Sequence, residues 1–191
     1  MQNTIYSKLT NSYIPVRVEK RVYGTDDICP QIIEYNVYDK RKQVGFVRLH
    51  DTDKGCYVQY IESTHPKEYG NFGYLADKLE VQHCMNNGMK HFEITSYADF
   101  NSHGMHYKRG KRFLGQASQS QINRFQELFN GAKMADVKSF SINEMVKYIV
   151  NHTPKGKSYN TWFLNQVSMY MPRKLIKKYI GELKSNPILI K

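Results

Sequence analysis

Between residues 31 and 95 the apolar residues of this chain change their spacing from a period of two to a helical one, and that change limits the folds open to it. From Ile32 to Tyr38 they alternate, with Ile33, Tyr35 and Val37 on one side. They alternate again from Val44 to Leu49, and Tyr57 to Ile61 is β-branched and aromatic. Polar turns, Asp39-Lys40-Arg41-Lys42 and Asp51-Thr52-Asp53-Lys54-Gly55, separate the three segments. A period of two broken by short turns predicts a three-strand antiparallel meander. After Pro66 and the glycine-bearing stretch Tyr69-Gly70-Asn71-Phe72-Gly73, the period becomes helical through Leu75, Ala76, Leu79, Val81 and Met85. Asn87-Gly88 ends that helix, and His91 to Thr95 reads as a buried strand. Strand, helix and strand in this order predict a parallel, right-handed crossover. A short helix, broken near Gly110, is expected over 99–109.

Outside this region the reading is simpler. Residues 1–30 are mixed, with a short extended piece at Ile14-Pro15-Val16-Arg17-Val18 and a turn or helix cap at Thr25-Asp26-Asp27. Beyond Phe113 the pattern is helical. Ser118 to Gln121 and Ser141 to Glu144 match the capping box. The second box opens an amphipathic helix through Ile142, Met145, Val146, Ile149 and Val150. Trp162, Phe163, Val167, Tyr170 and Met171 predict another. Pro172 suits the first turn of a last helix, which puts Leu175, Ile176, Tyr179, Ile180 and Leu183 on one face and Lys174, Lys177, Lys178 and Lys184 off it. The expected fold is therefore α/β (α+β), a mixed sheet with an antiparallel meander and a β-α-β crossover. Its core is expected over 1–115 and a helical C-terminal extension over 116–191.

Composition narrows the partners. Of 191 residues 40% are hydrophobic and 13% aromatic, enough for a true core, and the formal net charge is +11. That charge favours nucleic acid, an anionic membrane surface or a phosphate-rich ligand, and it also suits a merely solubilising surface. The three cysteines, Cys29, Cys56 and Cys84, are odd in number and lack CxxC spacing, which argues against a disulfide framework and a structural zinc site. Scattered thiols fit a reducing, cytoplasmic compartment. Met1 to Thr10 have no apolar signal region, and no apolar run nears the roughly 20 residues that span a bilayer.

The glycine-bearing turn is where chemistry enters. A helix N-terminus presents unpaired N–H groups and partial positive charge, and glycines let a pyrophosphate approach the backbone. The same residues also serve an ordinary strand–helix connection. The stretch Pro66-Lys67-Glu68-Tyr69-Gly70-Asn71-Phe72-Gly73-Tyr74-Leu75 resembles the proline and Q/R-x-x-G-x-G/A loop of the GNAT superfamily of acyl-CoA-dependent N-acyltransferases. Phe92-Glu93-Ile94-Thr95, Asn101, Tyr107-Lys108-Arg109-Gly110 and Phe113 resemble that family's closing strand, Asn, Tyr and Gly-Phe. The resemblance covers a little under half the chain. It departs at the loop's opening Gln or Arg, where Tyr69 or Lys67 stands, and in the spacing of Gly70 and Gly73.

The resemblance implies an acetyl-CoA donor, no metal, and transfer to an amine of a protein, aminoacyl-tRNA or small molecule. It implies that backbone near Tyr60, Ile61 and Glu62 bonds the thioester carbonyl, that Tyr69, Gly70, Asn71, Phe72, Gly73 and Tyr74 cradle the phosphates, and that Asn101 contacts the pantetheine arm. Tyr107 stands where the family has the acid that protonates the leaving thiolate. Glu62, His65 and Glu68 are base candidates by position, each also suited to a surface or cap role.

Three weaker signals remain. His103-x-x-His106 puts two imidazoles on one helical face without a third ligand by spacing. Gly156-Lys157-Ser158 is not a P-loop, because Asn151 stands where glycine is needed. His106 to Phe113 interleaves basic and aromatic residues, which suits single-stranded RNA, the 3′-phosphate of CoA, or a solvated turn. The alternative function is a non-catalytic, basic nucleic-acid- or protein-binding module on a GNAT-like scaffold. Either function admits a homodimer.

Overall fold

The computed structural model describes residues 3–24, 31–129 and 141–191; Thr25-Asp26-Asp27 and Cys29 lie outside them. Along the chain run β1 (Thr4–Ser7), β2 (Ser12–Pro15), β3 (Arg17–Tyr23), β4 (Ile32–Asp39), β5 (Lys42–Thr52), β6 (Gly55–Ser63), β7 (Tyr69–Gly70), α1 (Phe72–Asn86) and β8 (Glu93–Ala98). Then come α2 (His103–Lys108), β9 (Arg112–Phe113), α3 (Gln119–Leu128), α4 (Ile142–His152), a 3-10 turn (Trp162–Leu164), β10 (Val167–Tyr170) and α5 (Arg173–Ser185). The architecture is mixed α/β. Contacts divide it into two compact units, Met1–Thr95 with Arg173–Lys191, and Ser96–Pro172. No helix among the described residues is long and apolar enough to cross a membrane.

In the first unit β3, β4, β5 and β6 form an antiparallel meander, one strand longer than the alternation predicts. Ile33, Tyr35, Val37, Val47, Leu49 and Val58 share the core face and are buried. α1 covers that face at β5 and β6 and packs its far side on α5. Sandwiched this way, α1 buries polar residues as well as apolar ones: Asp77, Glu80, Gln82 and His83 are buried beside Leu75, Leu79 and Val81. Buried polar groups must find partners. His83 bridges the Tyr35 hydroxyl (2.8 Å, Nδ1) and Asp51 (2.6 Å, Nε2). The Gln82 amide donates to the Ile188 carbonyl and accepts from the Ile188 N–H, both at 2.7 Å. From α5, Ile176, Tyr179 and Leu183 complete this layer. Each such side chain contributes about 1.5–3 kcal/mol on burial. Gly88, at φ 74°, stops α1 as the sequence predicts.

The crossover returns beside β6. The Glu93 N–H donates to the Lys54 carbonyl at 2.8 Å, so β6 and β8 start at the same end, as a parallel pair does. Gly55 sits at this junction with φ 156°, and a Cβ there would stand 2.0 Å from the Glu93 carbonyl oxygen. A smaller sheet, which the sequence pattern does not predict, pairs β1 with β2 and with β7.

The second unit has its own core, built from Ala98, Phe113, Phe125, Met145, Val146, Ile149, Phe163, Leu164, Val167 and Met169. Both predicted capping boxes are present, with Ser118 and Ser141 each accepting from the third helical N–H. The helix expected through Trp162 to Met171 is not formed. A 3-10 turn ends at Asn165, which adopts φ 58°, and β10 then pairs antiparallel with β9 (Met169 with Phe113, Tyr170 with Arg112). Val167, Met169 and Met171 are all buried, a period of two that fits a strand and was masked by the aromatic residues before it.

Two substitutions test this packing. Gly55→Ala is expected to lower stability by about 2 kcal/mol or more, through positive-φ strain and collision with backbone, read as a fall in the urea midpoint. Gln82→Ala is expected to cost about 1–3 kcal/mol, because it strips both backbone partners of Ile188.

Candidate active site

β6 carries an irregularity at the point where the resemblance puts the thioester. Arg48 pairs with Tyr60 but Leu49 pairs with Val58, so Gln59 is an extra residue, a β-bulge. Downstream of it, the Thr64 N–H donates to the Val44 carbonyl at 3.2 Å. By the alternation of an antiparallel ladder, Tyr60 and Glu62 then turn their N–H groups toward β5, and Ile61 turns its own away. Ile61, half-buried on the core face, is thus the one of the three whose N–H faces the side on which β8 starts.

Tyr60 and Glu62 project from the opposite face of the meander and are exposed. Tyr60 stacks on Phe46 (5.7 Å between centroids, 12° between planes), and Phe46 stands directly across from Glu62. The Arg48 guanidinium lies 5.7 Å from the Phe46 ring and bonds the Glu34 carboxylate at 2.7 Å. Burial pushes the Glu34 carboxyl up, but bonds from Asn36 and Arg48, with Tyr23, outweigh it and hold the group below the usual carboxylate range. A fixed ion pair therefore braces an aromatic shelf beside the bulge.

The three base candidates differ in how much of them is free. Glu68 is clamped by Lys42, whose ammonium lies 2.7 Å from both carboxylate oxygens and holds the carboxyl below its ordinary range. His65 keeps Nδ1 against the Thr64 hydroxyl (2.9 Å) and the Gln43 carbonyl (3.1 Å). Glu62 is exposed on the shelf, within reach of solvent.

The loop from Tyr69 to Tyr74 leads into α1. Asn71 is the N-cap, in left-handed geometry at φ 63°, and no side chain caps the helix. The first turn holds no acidic residue, so its N–H groups keep their partial positive charge for an anion. Part of the loop is already engaged. The Tyr69 N–H donates to the His65 carbonyl at 3.0 Å, and Tyr69 and Gly70 pair with Ser7 and Tyr6 of β1. The Tyr74 N–H donates to the Asn71 carbonyl. Tyr69 is buried, its hydroxyl donating to Asp39 at 2.8 Å, and burial with that bond pushes the phenol up to about 12. Tyr74 bonds Glu182, and burial and this carboxylate push its phenol up. Asn71 donates to the hydroxyl of Tyr13 at 2.9 Å. Phe72 is buried against the meander, where Gly45 leaves room for its ring: a Cβ at Gly45 would stand 2.6 Å from it. Gly73 is half-buried in the first turn of α1.

Tyr60, Ile61, Glu62 and the loop thus belong to the first unit, and Asn101 and Tyr107 belong to the second. Asn101 is exposed, just before α2. Tyr107 is half-buried on α2, its ring 4.5 Å from the Arg112 guanidinium, which also donates to its carbonyl at 3.2 Å. His103 and His106 are buried on the same helix. His103 is within 3.1 Å of the Ala98 carbonyl, and the His106 Nδ1 accepts from Arg109 at 2.8 Å. Among the described residues no group of three or more His, Cys, Asp or Glu is placed to hold a metal.

The bulge, the Tyr13–Asn71 bond and the pairing of β1 with β7 were not found from the sequence, and no local signal marks them. An open cavity of about 890 Å³ lies elsewhere, bordered by Asn3, Arg17, Tyr38 and Lys191, and no predicted site residue lines it.

No family model and no curated protein matches the chain. Its structure is similar to a Bacillus subtilis acetyltransferase in complex with CoA, at 12% identity and TM-score 0.44, over 82% of this chain and 97% of that one. It is also similar to a GNAT family acetyltransferase from Elizabethkingia anophelis with acetyl-CoA bound, at 12% identity and TM-score 0.43, over 82% and 97%. A nourseothricin acetyltransferase follows at 16% identity and TM-score 0.41, over 81% and 84%. At such values no residue role passes from those proteins to this one.

The buried imidazoles give the second unit a pH dependence. Burial, with Lys111 and Arg109 beside it, pushes His106 down to about 2, and burial lowers His103 as well. At His106, between about pH 2 and about 6.5, the unfolded chain binds more protons than the folded one, and His103 acts in the same direction. Stability is therefore fully present above about pH 6.5 and falls as the pH drops below it, by up to about 1.4 kcal/mol per pH unit for His106. Urea unfolding from pH 7 to pH 5 should show this loss, and His106→Gln should flatten it.

Proposed function

We propose that the chain is an acyl-CoA-dependent N-acyltransferase of the GNAT type, moving an acetyl group from acetyl-CoA to an amine. The observation that carries this reading is the bulge at Gln59 on a strand that leads into an uncapped helix N-terminus. A thioester carbonyl needs a backbone donor that the sheet ladder leaves over, and a pyrophosphate needs helix N–H groups not already used. The Ile61 N–H, turned away from β5, and the first turn of α1 are the candidates of those two kinds, with the two-residue β7 between their elements. Phe72 and Gly73 begin the anion-binding turn. Gly70 has room beside it: a Cβ there would meet the Tyr6 ring at an ordinary 3.4 Å.

Glu62 is proposed as the base, taking a proton from the attacking amine directly or through water. The Tyr60–Phe46 shelf offers its faces to a cationic acceptor before deprotonation. On the resemblance alone, Tyr107 is given the role of acid to the departing thiolate and Asn101 that of contact to the pantetheine arm. The acceptor is an amine of a protein, an aminoacyl-tRNA or a small molecule, in a cytoplasmic setting, with a homodimer as an admitted assembly.

One observation favours the second reading, a non-catalytic nucleic-acid- or protein-binding module on the same scaffold. The pairing of Tyr69 and Gly70 with β1 takes up backbone groups that a pyrophosphate loop would offer to its ligand.

Thermal unfolding with acetyl-CoA separates the two. A ligand at a hundred times its Kd adds about 2.7 kcal/mol to stability. The enzyme reading expects a saturable rise with acetyl-CoA and desulfo-CoA but not with ATP. Gly70→Glu, which brings a carboxylate to the anion site, should weaken it at least about tenfold. Absence of any shift at millimolar CoA would sink the enzyme reading. If binding holds, Tyr107→Phe should lower kcat about 10- to 100-fold with little change in KM, and Glu62→Gln should remove the acid limb of the pH–rate profile.

A further inference from the structure

The solvent side of α5 breaks the rules that stabilise helices. Successive residues turn by about 100°, so Arg173, Lys177 and Lys184 fall within about 40° of one another along about 16 Å of the axis. Lys174 and Gly181 flank this line. All five residues are exposed. Arg173, Lys174, Lys177 and Lys184 have no ion pair among the described residues; the one acidic side chain of the helix, Glu182, points elsewhere, to Lys78, Lys178 and Tyr74.

Three features of this line oppose helix stability. Arg173 and Lys174 open the helix, where the macrodipole disfavours positive charge and where no acidic residue compensates. Arg173 and Lys177 are like charges one turn apart, as are Lys174 and Lys178. Gly181 weakens the helix interior, and no packing requires it, since a Cβ there would meet nothing within 4 Å. Local choices that cost stability without a structural return mark a functional surface.

The chemistry of the line narrows its partner. The apolar side of α5, Ile176, Tyr179 and Leu183, is already buried and packs the helix on α1, so α5 has no apolar face to sink into lipid. The line offers cations and an open glycine but no Asn, Gln, Asp or Glu to pair with a base edge. Exposed cations spread over about 16 Å suit a run of phosphates first of all. Backbone and shape are how RNA helices are recognised, because their deep, narrow major groove hides the bases. The excess of positive charge across the chain, +11, supports the same sign of partner.

We propose that α5 docks on the phosphodiester backbone of an RNA stem through Arg173, Lys177 and Lys184, with Lys174 beside them and Gly181 letting the backbone come close. This does not depend on acyl transfer.

The test is fluorescence anisotropy of a labelled RNA hairpin with an uninterrupted stem, titrated with the full chain at graded salt. The wild type is compared with Arg173→Gln/Lys177→Gln/Lys184→Gln and with a charge-matched control, Lys147→Gln/Lys155→Gln/Lys157→Gln. The α5 variant should bind at least about tenfold more weakly, with a log–log salt slope shallower by about three, while the control stays within about threefold of wild type. Thermal unfolding of the α5 variant should show an unchanged or higher midpoint, since like charges have been removed; were it lower, the single Lys177→Gln carries the comparison, with a loss of about twofold or more expected. Equal losses in both triple variants, no RNA binding at low salt, equal affinity for a DNA duplex of the same length, or binding to anionic vesicles or an acidic peptide instead of RNA would each overturn the proposal. A CoA-induced thermal shift measured in parallel keeps this outcome separate from that of the acyltransferase reading.

Discussion

Most of the first unit depends on α1 being buried on two sides at once. A helix packed only on a sheet can send its polar residues to solvent. Here the meander covers one side and α5 another, so each buried polar side chain of α1 must be satisfied inside. His83 meets this by bridging Tyr35 and Asp51, which ties α1 to β4 and to the end of β5. Gln82 meets it by holding the backbone of Ile188, which fixes the strand-like segment after α5 beside β3 through the Val18–Ile190 bridge. Desolvation thus sets the register of distant parts of the chain.

The same burial explains what the sequence could and could not reveal. Leu75, Leu79 and Val81 marked α1 as a helix because apolar spacing survives whatever covers it. That Asp77, Gln82 and His83 are buried was not legible, since their partners Tyr179, Ile188, Tyr35 and Asp51 stand far away in sequence. The meander was legible because one face is apolar and turn residues separate its strands. The bulge at Gln59 was not, because an extra residue changes pairing without changing composition. β9 and β10 are two and four residues long, too short for a period to declare itself beside Trp162 and Phe163.

For the candidate site the residue types were legible and their employment was not. Glu68 and His65 stood as close to the loop in sequence as Glu62. Lys42, twenty-six residues before Glu68, binds its carboxylate, and Gln43 and Thr64 hold His65. The loop glycines suggested an anion cradle, whereas the pairing of Tyr69 and Gly70 with β1 could not be read from them. A loop's chemistry is set as much by what has already claimed its backbone as by its own residues.

The division of the chain has a consequence for how it is made. Arg173–Lys191 belongs with Met1–Thr95, so the first unit is discontinuous, with Ser96–Pro172 set between its parts. During synthesis the meander and α1 leave the ribosome with the outer side of α1 bare, and it stays bare until α5 follows. Closing the unit joins segments about a hundred residues apart, an entropic delay that slows folding and prolongs exposure of apolar surface. The intervening residues can collapse on a core of their own meanwhile. A chain stopped before α5 thus leaves the first unit unclosed, because the segment that completes it has not yet been made.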